Sequence, residues 1–234
     1  MKKIKELPAD SLKTMLAAGE DIVECYRVLA KTGDNVVGEL LRNQGTFYEW
    51  NHYPKGDIYD HATHSQYFYH AHVKGQRKGE HGHFHCFLRA KGMPAGIAPI
   101  AYDGEAEWPQ GDDALGHLIS ISMDPKGFPI GLLSVNRWVT GESWYVADDI
   151  IAMLDLFDID HASPSWPANR WVTAMVRLFQ PQIIDLVRKR DVAIADWQRK
   201  NPDRDVYEDR DLEITSTVAI SVEKQIAGVR AALI

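Results

Sequence analysis

The spacing of apolar positions changes along the chain, and each change marks an element. Leu12, Met15, Leu16, Ile22, Val23, Tyr26 and Leu29 recur at steps of three and four, which predicts an amphipathic helix over residues 9–32. Gly33 supplies a left-handed stop, and Asp34 caps a second short helix through Leu41 that ends at Asn43-Gln44-Gly45. Thr46 to Tyr53 is aromatic and β-prone, so a strand is expected there, followed by a polar loop from Pro54 to Thr63 that carries Asp57, Asp60 and His61. From Gln66 to Val73 and from Glu80 to Leu88 the pattern alternates, the period of a half-buried strand. His117 to Met123 and Phe128 to Trp138 flank the turn Asp124-Pro125-Lys126-Gly127 as a second hairpin.

The apolar residues then return to helical spacing. Helices are expected over 144–157, over 169–200 with a kink at Pro181, and over about 209–232. Leu212 to Val222 partly alternates, so a strand is the second reading of that stretch. Residues 90–116 are rich in Gly and Pro and have no period, which suits either a lid or a plain surface excursion. Helices, then about five hairpin-linked strands, then helices predict an α+β fold with an antiparallel sheet. A single domain over residues 1–234 is expected, with helices at 9–43, the sheet at 46–138 and helices at 144–234.

Chemistry concentrates in that sheet. Eight of the ten histidines lie between residues 52 and 85, and five form the alternating runs His70-Ala71-His72 and His81-Gly82-His83-Phe84-His85. Alternation puts each run on one face of its strand. A four-residue loop, Gln76 to Gly79, pairs His72 with His83, His70 with His85 and Phe68 with Phe87. The reverse face then carries Tyr67, Tyr69 and Ala71 against Phe84, Cys86 and Leu88, a surface suited to the core.

Cross-strand side chains lie roughly 4.5–5.5 Å apart at Cβ, close enough to share an ion. A transition-metal site at His70, His72, His83 and His85, with His81 at its edge, is therefore expected. Imidazole ligands favour Zn, Fe or Cu over Mg and Ca. Asp57, Asp60 and Glu80 are the carboxylates within reach in sequence, although strand parity points Glu80 to the opposite face unless a bulge intervenes. No HExxH occurs, and neither HxH run has the acid of a facial triad. Arg137 and Glu142, near the end of the last predicted strand of the sheet, are candidate catalytic residues, the arginine as a bidentate clamp. The expected activity is metal-dependent oxidation or hydrolysis of a small molecule. A non-enzymatic metal-binding protein and a merely polar sheet face are the alternatives.

A net charge of −7 with only short basic runs argues against a nucleic-acid partner. Cys25 and Cys86 form neither a CxxC pair nor a disulfide framework. No apolar run is long enough to cross a bilayer, and the first residues lack the apolar stretch of a signal peptide, so a cytoplasmic protein is expected.

The string His81-Gly82-His83-Phe84-His85-Cys86-Phe87 resembles the histidine triad motif of nucleotide hydrolases and transferases. That resemblance implies His83 as the nucleophile, supported by His81 and His85. Gly82 departs from it, standing where the motif has a hydrophobic residue. The combination SQYFYHAH, GEHGHFHCFL, HLISISMDPKGFPIGL and NRWVTGE resembles an uncharacterised bacterial family of unknown function over most of the chain. The likeness implies no reaction.

Overall fold

The computed structural model describes residues 4–73 and 77–234. Helices α1 (Ala9–Ala30) and α2 (Val36–Leu41) open the chain. Strands β1 (Tyr53–Tyr59), β2 (Ser65–His70), β3 (Gly82–Arg89), β4 (Leu115–Met123) and β5 (Pro129–Val135) follow. Then come α3 (Arg137–Thr140), α4 (Ala147–Met153), α5 (Trp166–Leu178), α6 (Gln180–Lys200), β6 (Ile214–Ala219) and α7 (Val222–Ala232). The strands form one antiparallel sheet in chain order, β1 to β6, with helices before and after it: an α+β fold. Among the described residues no helix is long and apolar enough to cross a membrane.

One face of the sheet makes the main core. Tyr67, Tyr69, Phe84, Cys86, Leu88, Ile119, Ile121 and Leu132 are buried there against Leu12, Ile22, Trp171, Met175 and Ile183 of α1, α5 and α6. This is the apolar face that strand alternation predicts. Burying each of these large side chains contributes roughly 1.5–3 kcal/mol, so the helices fix which way the sheet faces.

Several boundaries differ from the sequence reading. Thr46 to His52 is loop, and β1, Tyr53–Tyr59, takes only Tyr53 from the expected strand and the rest from the expected loop. Propensity misleads here because Phe47, Tyr48 and Trp50 are exposed, whereas Tyr53 and Ile58 are buried. Pro54 is tolerated because β1 is an edge strand. The helix expected over 169–200 is two helices. They meet at Phe179, and Pro181 lies in the first turn of α6, where its missing N–H costs nothing. The last predicted helix is shorter, because residues 214–219 form β6 and pair with β5. The alternating reading of that stretch is the one the fold uses, and the sheet gains a sixth strand.

The hairpin register is also corrected. His70 pairs with His83 and Phe68 with His85, two residues away from the expected pairing, and β2 ends before His72. Sharing a face fixes only the parity of a register, so a shift of two keeps every side chain on its side. The connection is longer than four residues. Gln76, part of the expected loop, lies outside the described residues.

Gly82 is explained by this register. A Cβ there would lie 2.4 Å from the His70 carbonyl oxygen and 2.5 Å from the Tyr69 hydroxyl. Gly82→Ala is expected to destabilise the protein by about 1–3 kcal/mol, seen as a lower urea midpoint. An unchanged midpoint would show that the hairpin is not packed this closely.

Candidate metal centre

The other face of the sheet carries the histidines. Phe68, His70, His83 and His85 project from β2 and β3, and the chain just past β2 brings His72 beside them. His83 and His85 are fully buried and His70 nearly so. The Nε2 of His83 lies 2.9 Å from the Nε2 of His70 and 2.9 Å from the Nε2 of His85. The His72 ring lies over His83 with centroids 5.0 Å apart. His70, His72 and His83 each present a ring nitrogen within 4.8 Å of the other two, the one such group of three among the described residues.

Hydrogen bonds alone do not satisfy this cluster. An imidazole nitrogen has a single in-plane direction for a proton or a lone pair. Nε2 of His83 therefore cannot bond well to two neighbours at once. Among the described residues, both ring nitrogens of His72 are buried without a partner, which is costly in a dry site. A cation at the convergence point would take up these lone pairs. Tetrahedral coordination with Zn–N bonds of about 2.0–2.1 Å separates the ligand nitrogens by about 3.3 Å, so the 2.9 Å contact of His70 with His83 need open by only a few tenths of an ångström, while His85 meets His83 alone and stands outside the group of three.

The surroundings fix the tautomers. Nδ1 of His83 lies 2.9 Å from Oε1 of Glu80. An ionised carboxylate only accepts, so the proton belongs on Nδ1 and the Nε2 lone pair faces the cluster. Ser122 donates to the other Glu80 oxygen. Arg77 donates to Glu80 at 3.4 Å and to Glu213 at the entry of β6. Strand parity excludes Glu80 from this face, but Glu80 precedes the first residue of β3 and is free of that rule. Burial opposes its charge, yet the bonds from His83, Ser122 and Arg77 hold its carboxyl below the usual carboxylate range.

A bulge adds a histidine that the sequence reading did not include. Cys86 pairs with Ile119 and Phe87 with His117, leaving Leu118 as the extra residue of β4. Leu118 and Ile119 both enter the core, and His117 turns onto the same face as Ser120. Nε2 of His117 lies 3.1 Å from Nδ1 of His85 and 3.1 Å from Oγ of Ser120, which is itself 2.9 Å from the same His85 nitrogen. Regular alternation from Ser120 puts His117 on the wrong side, so only the bulge reveals it.

The remaining candidates lie elsewhere. His81 stands apart, its Nδ1 2.6 Å from the Tyr69 hydroxyl. Asp60 caps a turn, accepting from the amides of Ala62, Thr63 and Asp160. Glu142 is buried and accepts from the His117 amide at 2.5 Å. Arg137 donates to the Glu142 carbonyl at 2.9 Å and pairs with Glu208. Residues 90–116 pack through Trp108, Ile100 and Tyr102 on a second apolar cluster with Trp144, Ile194 and Val206.

Burial keeps the imidazoles neutral, the form that binds metal. It lowers His70 to about 2, His72 to about 4 and His117 to about 3, and lowers His83 and His85 as well. Burial raises Glu142 to about 7.

These shifts set a direction for stability. Below the ordinary histidine value of 6.5 the unfolded chain takes up protons that the folded chain refuses. The histidine contribution is therefore complete above that pH and is lost as pH falls. Glu142 acts oppositely between its ordinary value of 4.5 and about 7, but it is one group against five. The metal-free protein is expected to lose more than about 2 kcal/mol between pH 7 and pH 5. Urea unfolding at the two pH values checks this, and equal midpoints would contradict the neutral cluster.

Neither the curated proteins nor the solved structures contain a match to this chain. A family model does match it, over residues 16–220. The chain belongs to that family, a domain of unknown function (DUF6969).

Proposed function

We propose that the histidine face is a transition-metal centre with which the protein acts on a small molecule. The observation that carries this reading is a ring nitrogen from each of His70, His72 and His83 within 4.8 Å of the other two, the nitrogens of His72 having no hydrogen-bond partner among the described residues. Neutral imidazoles favour Zn, Fe or Cu. A divalent ion held by such ligands keeps its full charge, which polarises a bound oxygen and makes bound water acidic.

This chain's own residues prepare the ligands. Glu80 holds the His83 proton at Nδ1, and Ser122 and Arg77 hold Glu80. Ser120 and His117 hold His85. Glu142 and Arg137 act at one remove, by anchoring the backbone at His117. A small molecule would approach past Trp50, which meets His72 edge-on, and past His52. His52 also lines a cleft of about 650 Å³ with Gln44, Tyr48, Lys55 and Asp57.

A closed, non-enzymatic metal site is the second reading. The complete burial of His83 and His85 favours it. The nucleotide-transfer reading has less support, since both ring nitrogens of His83 face other side chains.

Elemental analysis of the untagged protein after dialysis against Zn(II), Fe(II) or Cu(II) tests the centre. About one ion per chain is expected in the wild type, and little in the double variant His70→Ala/His83→Ala. Glu80→Gln is expected to keep the fold and weaken metal affinity about 10- to 100-fold. Equal metal content in the wild type and the double variant would refute the site.

A further inference from the structure

His52 lies beside the candidate centre without being part of it. Its ring is stacked on Phe68, with centroids 3.6 Å apart and planes 7° apart. Phe68 in turn neighbours the rings of His70 and His85. The His52 ring centre is 6.0 Å from that of His70. Unlike the cluster, His52 is open to water, its side chain 46% exposed.

A chain of polar groups holds this one imidazole. Nδ1 of His52 lies 3.0 Å from Oδ1 of Asp57. The other Asp57 oxygen accepts from Nε2 of Gln66 at 2.8 Å, and the Gln66 carbonyl accepts from Nε of Arg89 at 2.6 Å. Gln66 and Arg89 stand on β2 and β3, the strands that carry His70, His83 and His85. Asp57 sits where the β1–β2 ladder breaks register between Tyr53 and Ile58, with φ at 60°. Aspartate tolerates that left-handed region better than most non-glycine residues. A chance surface ion pair does not need two further residues to aim the carboxylate.

Asp57 can only accept, so the proton of His52 belongs on Nδ1 and Nε2 carries a lone pair. Among the described residues that Nε2 has no hydrogen-bond partner. This is the arrangement of an aspartate-oriented general base. Resting on the metal-centre reading, we propose that His52 accepts the proton of a water or hydroxyl held at the histidine cluster, with Asp57 as its positioning residue. The substrate class is then one cleaved by an activated oxygen, such as an ester, and the chemistry is hydrolytic. In the step, the O–H bond breaks, its electron pair forms the new C–O bond at the ester carbonyl, and the proton moves to Nε2. The resulting imidazolium pairs with Asp57; as the ester C–O bond breaks, the departing alkoxide keeps the bonding pair and takes that proton, so an acid and an alcohol leave. No electrons are gained or lost overall.

The test uses zinc-loaded full-length protein, with 4-nitrophenyl acetate as the probe ester, and compares the wild type with His52→Gln and Asp57→Asn. Metal content is measured for each, and the His52 tautomer is read by long-range proton–nitrogen NMR. The expected result is equal zinc in all three, with hydrolysis falling about 10²-fold in His52→Gln and less in Asp57→Asn. Added imidazole should restore part of the His52→Gln loss. The Nδ1–H tautomer should dominate in the wild type and lose its preference in Asp57→Asn. Loss of zinc from His52→Gln would make His52 a ligand and overturn the proposal. So would equal hydrolysis at equal zinc, or a loaded wild type no faster than free zinc. A wild type that binds no zinc would fail the metal centre itself and with it the role of His52, and the metal assay separates that failure from the others.

Discussion

Imidazoles packed out of water, with fewer hydrogen bonds than nitrogens, are the constraint on which this structure turns. Burying a polar atom without a partner costs about 1–3 kcal/mol, and the histidine face concentrates that cost at the middle of a sheet. His83 is pressed between two imidazoles, and among the described residues His72 has no partner at either nitrogen. The apolar face behind it, filled by Tyr67, Phe84, Ile119 and the helices, provides the stability that lets such a cluster persist. The two faces of β2 and β3 therefore have divided roles, one holding the fold and the other holding chemistry.

The irregular parts of the sheet do most to shape the site. The bulge at Leu118 turns His117 toward His85, and the broken ladder of β1 brings Asp57 to His52. Glu80 reaches His83 because the chain has not yet entered the strand. In each case a departure from period two delivers a side chain that regular alternation would send to the other face.

The sixth strand joins this network. Arg77, beside Glu80 and His83, also reaches Glu213 at the entry of β6, three strands away from β3. With neighbouring strands about 4.8 Å apart, that contact links parts of the sheet on the order of 14 Å from one another along its width. A residue far along the chain thus helps hold the carboxylate that orients a candidate ligand.

Alternation in SQYFYHAH and EHGHFHCFL was enough to show two strands, a core face of Tyr67, Tyr69, Phe84 and Cys86, and a shared histidine face, because strand geometry is local and has a period of two. Helical spacing likewise gave α1, and the turn Asp124 to Gly127 gave the hairpin of β4 and β5. The same local rules could not distinguish a register from one shifted by two. They could not place His117, whose side depends on a bulge, or choose strand over helix for residues 214–219. They misread the exposed aromatics before Tyr53 as a strand. Each of those outcomes depends on what packs against the segment: β6 exists because β5 offers an edge, and His81, which lies before the first residue of β3, turns to the Tyr69 hydroxyl. Periodicity therefore named the face and most of its chemistry, while the convergence of particular nitrogens, and the carboxylates that aim them, came only from contacts between segments distant in the chain.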